Sequence, residues 1–232
     1  MTWSILARDP ATGALGAAVA TRFFAVGALA THVEGGVAAL ATQALINPMY
    51  AMHGMARLRA GEAPDAVAAA LLAEDAGCEH RQLHMIDASG RIAQHTGNNC
   101  VAWCGSVRGT DVSVAGNMLS GADVVERTLD AFVGAPGPLA ERLMAALEAG
   151  ERAGRGKQSA ALKICTRDCY PDLDIRTDDH PDPLRELRRL YAVSLERFAV
   201  FRRFLPGADN ACGVFDRAVI DAAIAREGIP PT

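Results

Sequence analysis

Residues 2–21 read Thr2-Trp3-Ser4-Ile5-Leu6-Ala7-Arg8-Asp9-Pro10-Ala11-Thr12-Gly13-Ala14-Leu15-Gly16-Ala17-Ala18-Val19-Ala20-Thr21. Two apolar runs, 2–8 and 14–21, flank the turn formers Asp9 to Gly13, a pattern that predicts a β-hairpin. A second pair of runs, 28–33 and 36–44, surrounds Gly35-Gly36. All four runs are rich in Ala, Val and Leu with little polar alternation, so these strands are expected to be covered on both faces.

Helical signals follow. Pro48 suits a helix start and predicts a helix over 49–60 that Gly61 ends. Asp65 is expected to cap a short helix through Leu72. Strands at 82–87 and 91–95 flank the turn Asp87-Ala88-Ser89-Gly90, and 112–116 reads as another strand. Ser120 with Asp123 has the spacing of a capping box for a helix over 121–133, and Pro138 opens another through Leu147. Strands at 159–165 and 173–176 come next. Asp182-Pro183 then starts a long amphipathic helix to about residue 204, with a last helix over about 214–226. Groups of strands alternate with pairs of helices, which argues against a doubly wound parallel sheet. The order predicts an α+β chain, a four-layer αββα sandwich of two antiparallel sheets packed face to face with helices outside. One domain over 1–232 is expected, with a helical extension from about residue 183.

Composition narrows the classes of function. The chain has 232 residues, is 50% hydrophobic and 22% charged, and carries a net charge of −4. A chain of this size buries ~70% of its unfolded surface, so it needs no disulfide or metal to make a core. The acidic balance argues against a nucleic-acid partner. No apolar run approaches the ~20 residues that span a bilayer, and the N-terminus lacks the features of a signal peptide, so no membrane partner and a cytoplasmic location are expected. The six cysteines, Cys78, Cys100, Cys104, Cys165, Cys169 and Cys212, are then expected as free thiols. Cys100-x3-Cys104 and Cys165-x3-Cys169 fit the spacing of a four-cysteine zinc site, but both pairs lie in or beside strands without knuckle glycines. Core thiols are the favoured reading, and no metal or organic cofactor is expected.

Several short motifs together resemble the domain-of-unknown-function family 1028. They are Thr2-Trp3-Ser4-Ile5, Gly16-Ala17-Ala18-Val19-Ala20-Thr21-Arg22-Phe23-Phe24-Ala25-Val26-Gly27, Ala41-Thr42-Gln43-Ala44 with Asn47-Pro48, His95-Thr96-Gly97, Gly116-Asn117-Met118-Leu119, Gln158-Ser159-Ala160-Ala161 and Asp178-Asp179-His180-Pro181-Asp182-Pro183. The resemblance implies the αββα fold of the N-terminal nucleophile (Ntn) hydrolases. It implies no established substrate.

In an Ntn site the first residue of the mature chain is Thr, Ser or Cys. Its hydroxyl or thiol attacks an amide carbonyl, and its own α-amine, with an ordinary pKa of about 7.7–8.0, acts as base. Thr2 stands at that place, and its small side chain favours removal of Met1; otherwise Thr2 simply opens an edge strand. Arg22 has the chemistry to bind a substrate carboxylate, or to form a salt bridge with Asp9 or Glu34. Asn117 could donate to an oxyanion or serve as a turn residue. Ser4 projects on the same side as Thr2 and could tune the nucleophile, or be an ordinary buried hydroxyl. Gln43 and Asn47 could line a substrate pocket or satisfy backbone ends. His95 and the cluster with Asp178 and His180 are further substrate-binding candidates, while Asp182 and Pro183 also fit a plain helix cap. The expectation is an Ntn-type amidohydrolase acting on a small, carboxylate-bearing amide, working as a homodimer. The alternative is a non-catalytic small-molecule-binding or assembly protein of the same fold.

Overall fold

A computed structural model describes residues 1–153 and 157–229. The hairpin forms as the opening stretch dictates. Strand β1 (Thr2–Arg8) runs antiparallel to β2 (Leu15–Thr21), from Thr2 opposite Thr21 to Arg8 opposite Leu15. Asp9 makes the turn, accepting from Ala11 N and the Thr12 hydroxyl, and Gly13 supplies a φ of 74°. The chain then builds β3 (Thr31–Glu34), β4 (Ala38–Ala44), α1 (Pro48–Arg59), α2 (Pro64–Ala73), β5 (Arg81–Asp87) and β6 (Ile92–Thr96). After these come β7 (Gly105–Gly109), β8 (Val112–Asn117), α3 (Asp123–Gly134), α4 (Leu139–Ala153), β9 (Ser159–Cys165), β10 (Leu173–Thr177) and α5 (Pro183–Val193).

The strands make two antiparallel sheets, β10-β9-β2-β1-β8-β7 and β3-β4-β5-β6. Period-two alternation divides β1 cleanly. Leu6 faces the second sheet and packs with Leu15, Ala17, Ala39, Ala41 and Ile86. Trp3 points the other way, under α4, where a Cβ added to Gly150 would lie 2.6 Å from its indole nitrogen. Helices α1 and α2 cover the outer face of the second sheet through Tyr50, Met55, Leu58, Val67 and Leu71, packed on Leu40, Leu83 and Met85. The layer order is therefore αββα. Small residues make it possible: in β2, Gly16 admits Leu143 of α4, whose methyl would lie 2.7 Å from an added Cβ.

Local details differ from the sequence expectations. Val26–Ala28 is a 3-10 turn, so the third strand starts at Thr31. Asp65 does not cap α2; Ala63 takes that position, Pro64 is the first helical residue, and Asp65 sits in the first turn. Ser120 does not cap α3, because its hydroxyl donates to the Ala153 carbonyl at 2.8 Å. The long helix to residue 204 is broken. Its α-helical part ends at Val193, and Ser194–Phe198 is wound as a π-turn with Glu196 at ψ −128°. The Ser194 hydroxyl donates to the Tyr191 carbonyl at 2.7 Å, a local bond that competes with the helical ladder.

The contacts divide the chain into two compact units, Met1–Leu187 and Arg188–Thr232. The first is the sandwich. The second has its own small core of Val200, Ile220 and Ile224.

Candidate functional site

Thr2 opens β1 between two partners, Thr21 on β2 and Asn117 on β8. The Thr21 hydroxyl donates to the Met1 carbonyl at 2.9 Å, and the Arg22 backbone N–H donates to the same oxygen at 3.2 Å. The two threonine hydroxyls lie 2.7 Å apart. Thr21 has one proton and gives it to Met1, so the Thr2 hydroxyl is the donor in that pair. Burial, and then the nearby Arg22 guanidinium, hold the Met1 α-amine below its ordinary pKa.

A cavity of about 330 Å3 opens here, with Thr2, Arg22, Gln43 and Asn117 among its polar lining. Its remaining wall is mostly apolar and includes Phe23, Val26, Leu29, Ile46 and Met118. Among the described residues four non-glycines have positive φ, and three of them (Ala25, Ala44 and Met118) line this cavity. Such strain persists only where its surroundings impose it, and it clusters at functional sites. The surroundings are visible. The loop after β2 is pinned by Ala25 N–H to the Asp178 carbonyl at 2.9 Å and Val26 N–H to the Ser159 hydroxyl at 3.1 Å. Ser159 in turn donates to the Phe23 carbonyl at 2.6 Å.

Arg22 is exposed and forms no side-chain ion pair among the described residues. The carboxylates considered for it are otherwise engaged: Glu34 pairs with Arg59, and Asp9 holds its own turn.

Behind the cavity, between the sheets, lies a buried polar network whose proton directions can be counted. Ser4 donates to Gln43 Oε1 at 2.8 Å. Its only proton is then used, so His84 Nε2, also 2.8 Å away, donates to Ser4. His84 Nδ1 accordingly accepts from Ser113 at 2.8 Å, and the Ser113 oxygen accepts from Gln94 Nε2 at 2.9 Å. Gln43 Nε2 donates to Gln82 Oε1 at 2.6 Å, an oxygen that also lies 3.4 Å from Asn117 Nδ2. Gln82 Nε2 has the carbonyls of Gly105 and Gly116 at 3.1 and 3.0 Å. The imidazole is fully buried and uncharged, since burial pushes its pKa down to about 3.

His84 and Gln82 had no assigned role in the sequence reading. One signal was available: they sit two apart in a strand, on either side of Leu83, so they share one face. The other candidates lie outside this cavity. Asn47 caps α1, accepting from Met49 N and donating to Asp75 Oδ2 at 3.1 Å each. His95 Nε2 bonds the Cys78 carbonyl at 3.0 Å. Asp178 pairs with Arg176, and His180 Nδ1 accepts from Asp182 N at 3.0 Å. Cys100 and Cys165 donate to the carbonyls of Arg81 and Val33. Among the described residues no group of three or more His, Cys, Asp or Glu is placed to hold a metal ion.

An αββα sandwich whose first strand opens on a cavity is the architecture implied by the Ntn-hydrolase resemblance. The chain is similar to a crystallised protein from Silicibacter pomeroyi, at 33% identity and a TM-score of 0.88, over 93% of this chain and 96% of that one. That protein is assigned to DUF1028, and the DUF1028 model matches residues 2–187 here. The chain belongs to DUF1028, a family of unknown function. Two Anbu (ancestral β-subunit) structures are more distant. The protein from Yersinia bercovieri and a mutant from Hyphomicrobium sp. strain MC1 each reach 14% identity and a TM-score of 0.40, over 88% and 84% of this chain and 98% and 95% of theirs. No functionally curated protein matches. The family match ends where the sandwich unit ends, at Leu187.

Proposed function

We propose that the protein is an Ntn-type amidohydrolase that cleaves a small, carboxylate-bearing amide with Thr2 as nucleophile. The observation that carries this reading is the cavity that brings Thr2, Asn117, Gln43 and Arg22 together at the start of β1. The reaction requires a chain that begins at Thr2. Its α-amine takes the hydroxyl proton and Thr2 Oγ1 adds to the amide carbonyl. The C–N bond breaks and the amine leaves with that proton. Water then hydrolyses the acyl ester and restores the hydroxyl. Burial and the Arg22 guanidinium disfavour a charged amine at this end of the chain, as the lowered pKa of the Met1 amine illustrates. Asn117 Nδ2 has a second N–H to offer the oxyanion, while Ser4 and Gln43 hold the wall behind it. Asn47, His95, Asp178 and His180 are not in the lining of this cavity and are given no part in the reaction.

The test uses a chain whose Thr2 terminus is verified by mass spectrometry, assayed on a panel of carboxylate-bearing amides. Thr2→Ser should retain turnover and Thr2→Ala should lose at least about a thousandfold, the size of effect seen when a nucleophile is removed. Full activity in Thr2→Ala refutes the reading.

A second reading, a non-catalytic binding protein, is favoured by one observation: the Met1 carbonyl is well accommodated by two donors. Met1 retained quantitatively in the native host would select it. For the assembly we propose a cytoplasmic homodimer. Leu195, Phe198 and Phe201 are all exposed, which supports self-association, and light scattering reads the mass directly. No helix among the described residues is long and apolar enough to cross a membrane. The segment from about residue 183 is proposed as an extension of a single sandwich domain.

A further inference from the structure

We infer that the cavity selects N-acyl amino acids with a short, apolar acyl chain of about six carbons, an inference that takes its scissile amide from the hydrolase reading above. The argument starts from the distribution of chemistry around the space. Among the described residues Arg22 is the one charged side chain in its lining, exposed and without an ion-pair partner. A guanidinium in that state offers a forked set of donors to a carboxylate. Thr2, Gln43 and Asn117 supply the hydrogen-bonding groups that an amide needs. Beyond them the wall is apolar: Val26 is buried, and Phe23, Leu29 and Met118 are 63%, 45% and 53% exposed around the mouth. Exposed apolar surface of that extent gains from being covered by an apolar ligand. A ligand that satisfies all three parts has a carboxylate, then an amide, then a hydrocarbon chain.

Size sets the chain length. With Met1 in its lining the cavity measures about 330 Å3, and at ~30 Å3 for each water-sized group it holds about eleven such groups. N-Hexanoylglycine, with about twelve non-hydrogen atoms, fills that space when its carboxylate is counted at Arg22. A decanoyl chain has no room for its last methylenes. The pocket is also preformed. Ala25, in its strained conformation, and Val26 are fixed by the bonds to Asp178 and Ser159, so little ordering is needed on binding.

Calorimetry on a Thr2→Ala chain verified by mass spectrometry to keep Met1, the form whose cavity measures about 330 Å3, separates ligand selection from catalysis. The probes are N-acetyl-, N-butanoyl-, N-hexanoyl- and N-decanoylglycine. Affinity should rise by about fourfold per methylene up to hexanoyl, at ~0.8 kcal/mol each, and then level off. Arg22→Ala should weaken every probe by about tenfold. Leu29→Trp, which narrows the mouth, should weaken the hexanoyl probe more than the acetyl one. Affinity independent of chain length, or unaffected by Arg22→Ala, overturns the inference. Binding in this pattern with no turnover by the chain that begins at Thr2 supports the ligand class and sinks the hydrolase. Turnover of short uncharged amides in preference to these probes does the reverse.

Discussion

Acid should weaken this protein before its carboxylates titrate, with His84 a main cause; His32, also held below its ordinary pKa by burial, acts in the same direction. His84 is wholly buried, held between Ser4 and Ser113, and its pKa lies near 3 in the folded chain. An unfolded histidine titrates near 6.5. The folded pKa is depressed, so the neutral form is favoured in the native state. Below pH 6.5 the unfolded chain gains a proton that the folded chain refuses, and stability falls until about pH 3. Each pH unit in that window costs about 1.4 kcal/mol, so the loss at pH 5 is about 2 kcal/mol. Urea unfolding at pH 8, 7, 6 and 5 measures it, with His84→Gln as control. The variant has a lower stability throughout, from its broken network, but its decline from pH 7 to 5 should be shallower by about 2 kcal/mol. Ring-carbon chemical shifts give a second readout and should show a neutral imidazole at pH 5. Parallel pH profiles for the two chains, or a protonated ring at pH 5, refute the reasoning. Asp75 titrates in a separate, lower window. Its carboxylate is held far below the usual range by Arg81 and also accepts from Tyr50 and Asn47, so its contribution is lost only as pH falls below about 4.

Three further outcomes can be measured by thermal or urea unfolding. Gly150→Ala should destabilise by about 1–3 kcal/mol, although alanine is the better helix former by about 1, because its Cβ would meet Thr128 Oγ1 at 2.4 Å and Trp3 at 2.6 Å. A stabilised variant refutes the close approach of α4 to β1. Ser4→Ala leaves the His84 Nε2–H and Gln43 Oε1 without their shared partner and should cost about 1–3 kcal/mol; an unchanged midpoint refutes the network. Asp75→Ala removes the acceptor of Arg81, Tyr50 and Asn47 together and should cost more than Tyr50→Phe, which breaks only one of those bonds; equal losses argue against a shared hub.

The layer order was legible because it depends on features that sequence displays: apolar runs, turn formers between them and proline at helix starts. The edge strand Gly105-Ser106-Val107-Arg108-Gly109 was missed for a physical reason. Edge strands need little hydrophobic content, and this one is half-exposed with glycine at both ends. The break after Val193 was equally hidden, since the apolar spacing continues through Leu195, Phe198 and Phe201 while one serine hydroxyl and one glutamate backbone interrupt the winding. Part of the candidate site was readable. Thr2, Arg22, Gln43 and Asn117 come from three strand ends and one loop, and the cavity joins them. The inward polar network was not, because a histidine or glutamine in a strand gives no sign of its partners until two sheets face each other.

The carbonyl of Met1 has a chemical double. In a chain that begins at Thr2, Thr21 and the Arg22 amide would lose a common acceptor, and the new terminus would be left beside two vacant donors. Acetylation of that terminus would put a carbonyl back on the same nitrogen, where the same two groups can receive it. The acetylated chain should thus keep its shape while its terminal nitrogen, now an amide, loses its basicity. Co-translational acetyl transfer would then act as a permanent off-state, visible as a 42 Da increment.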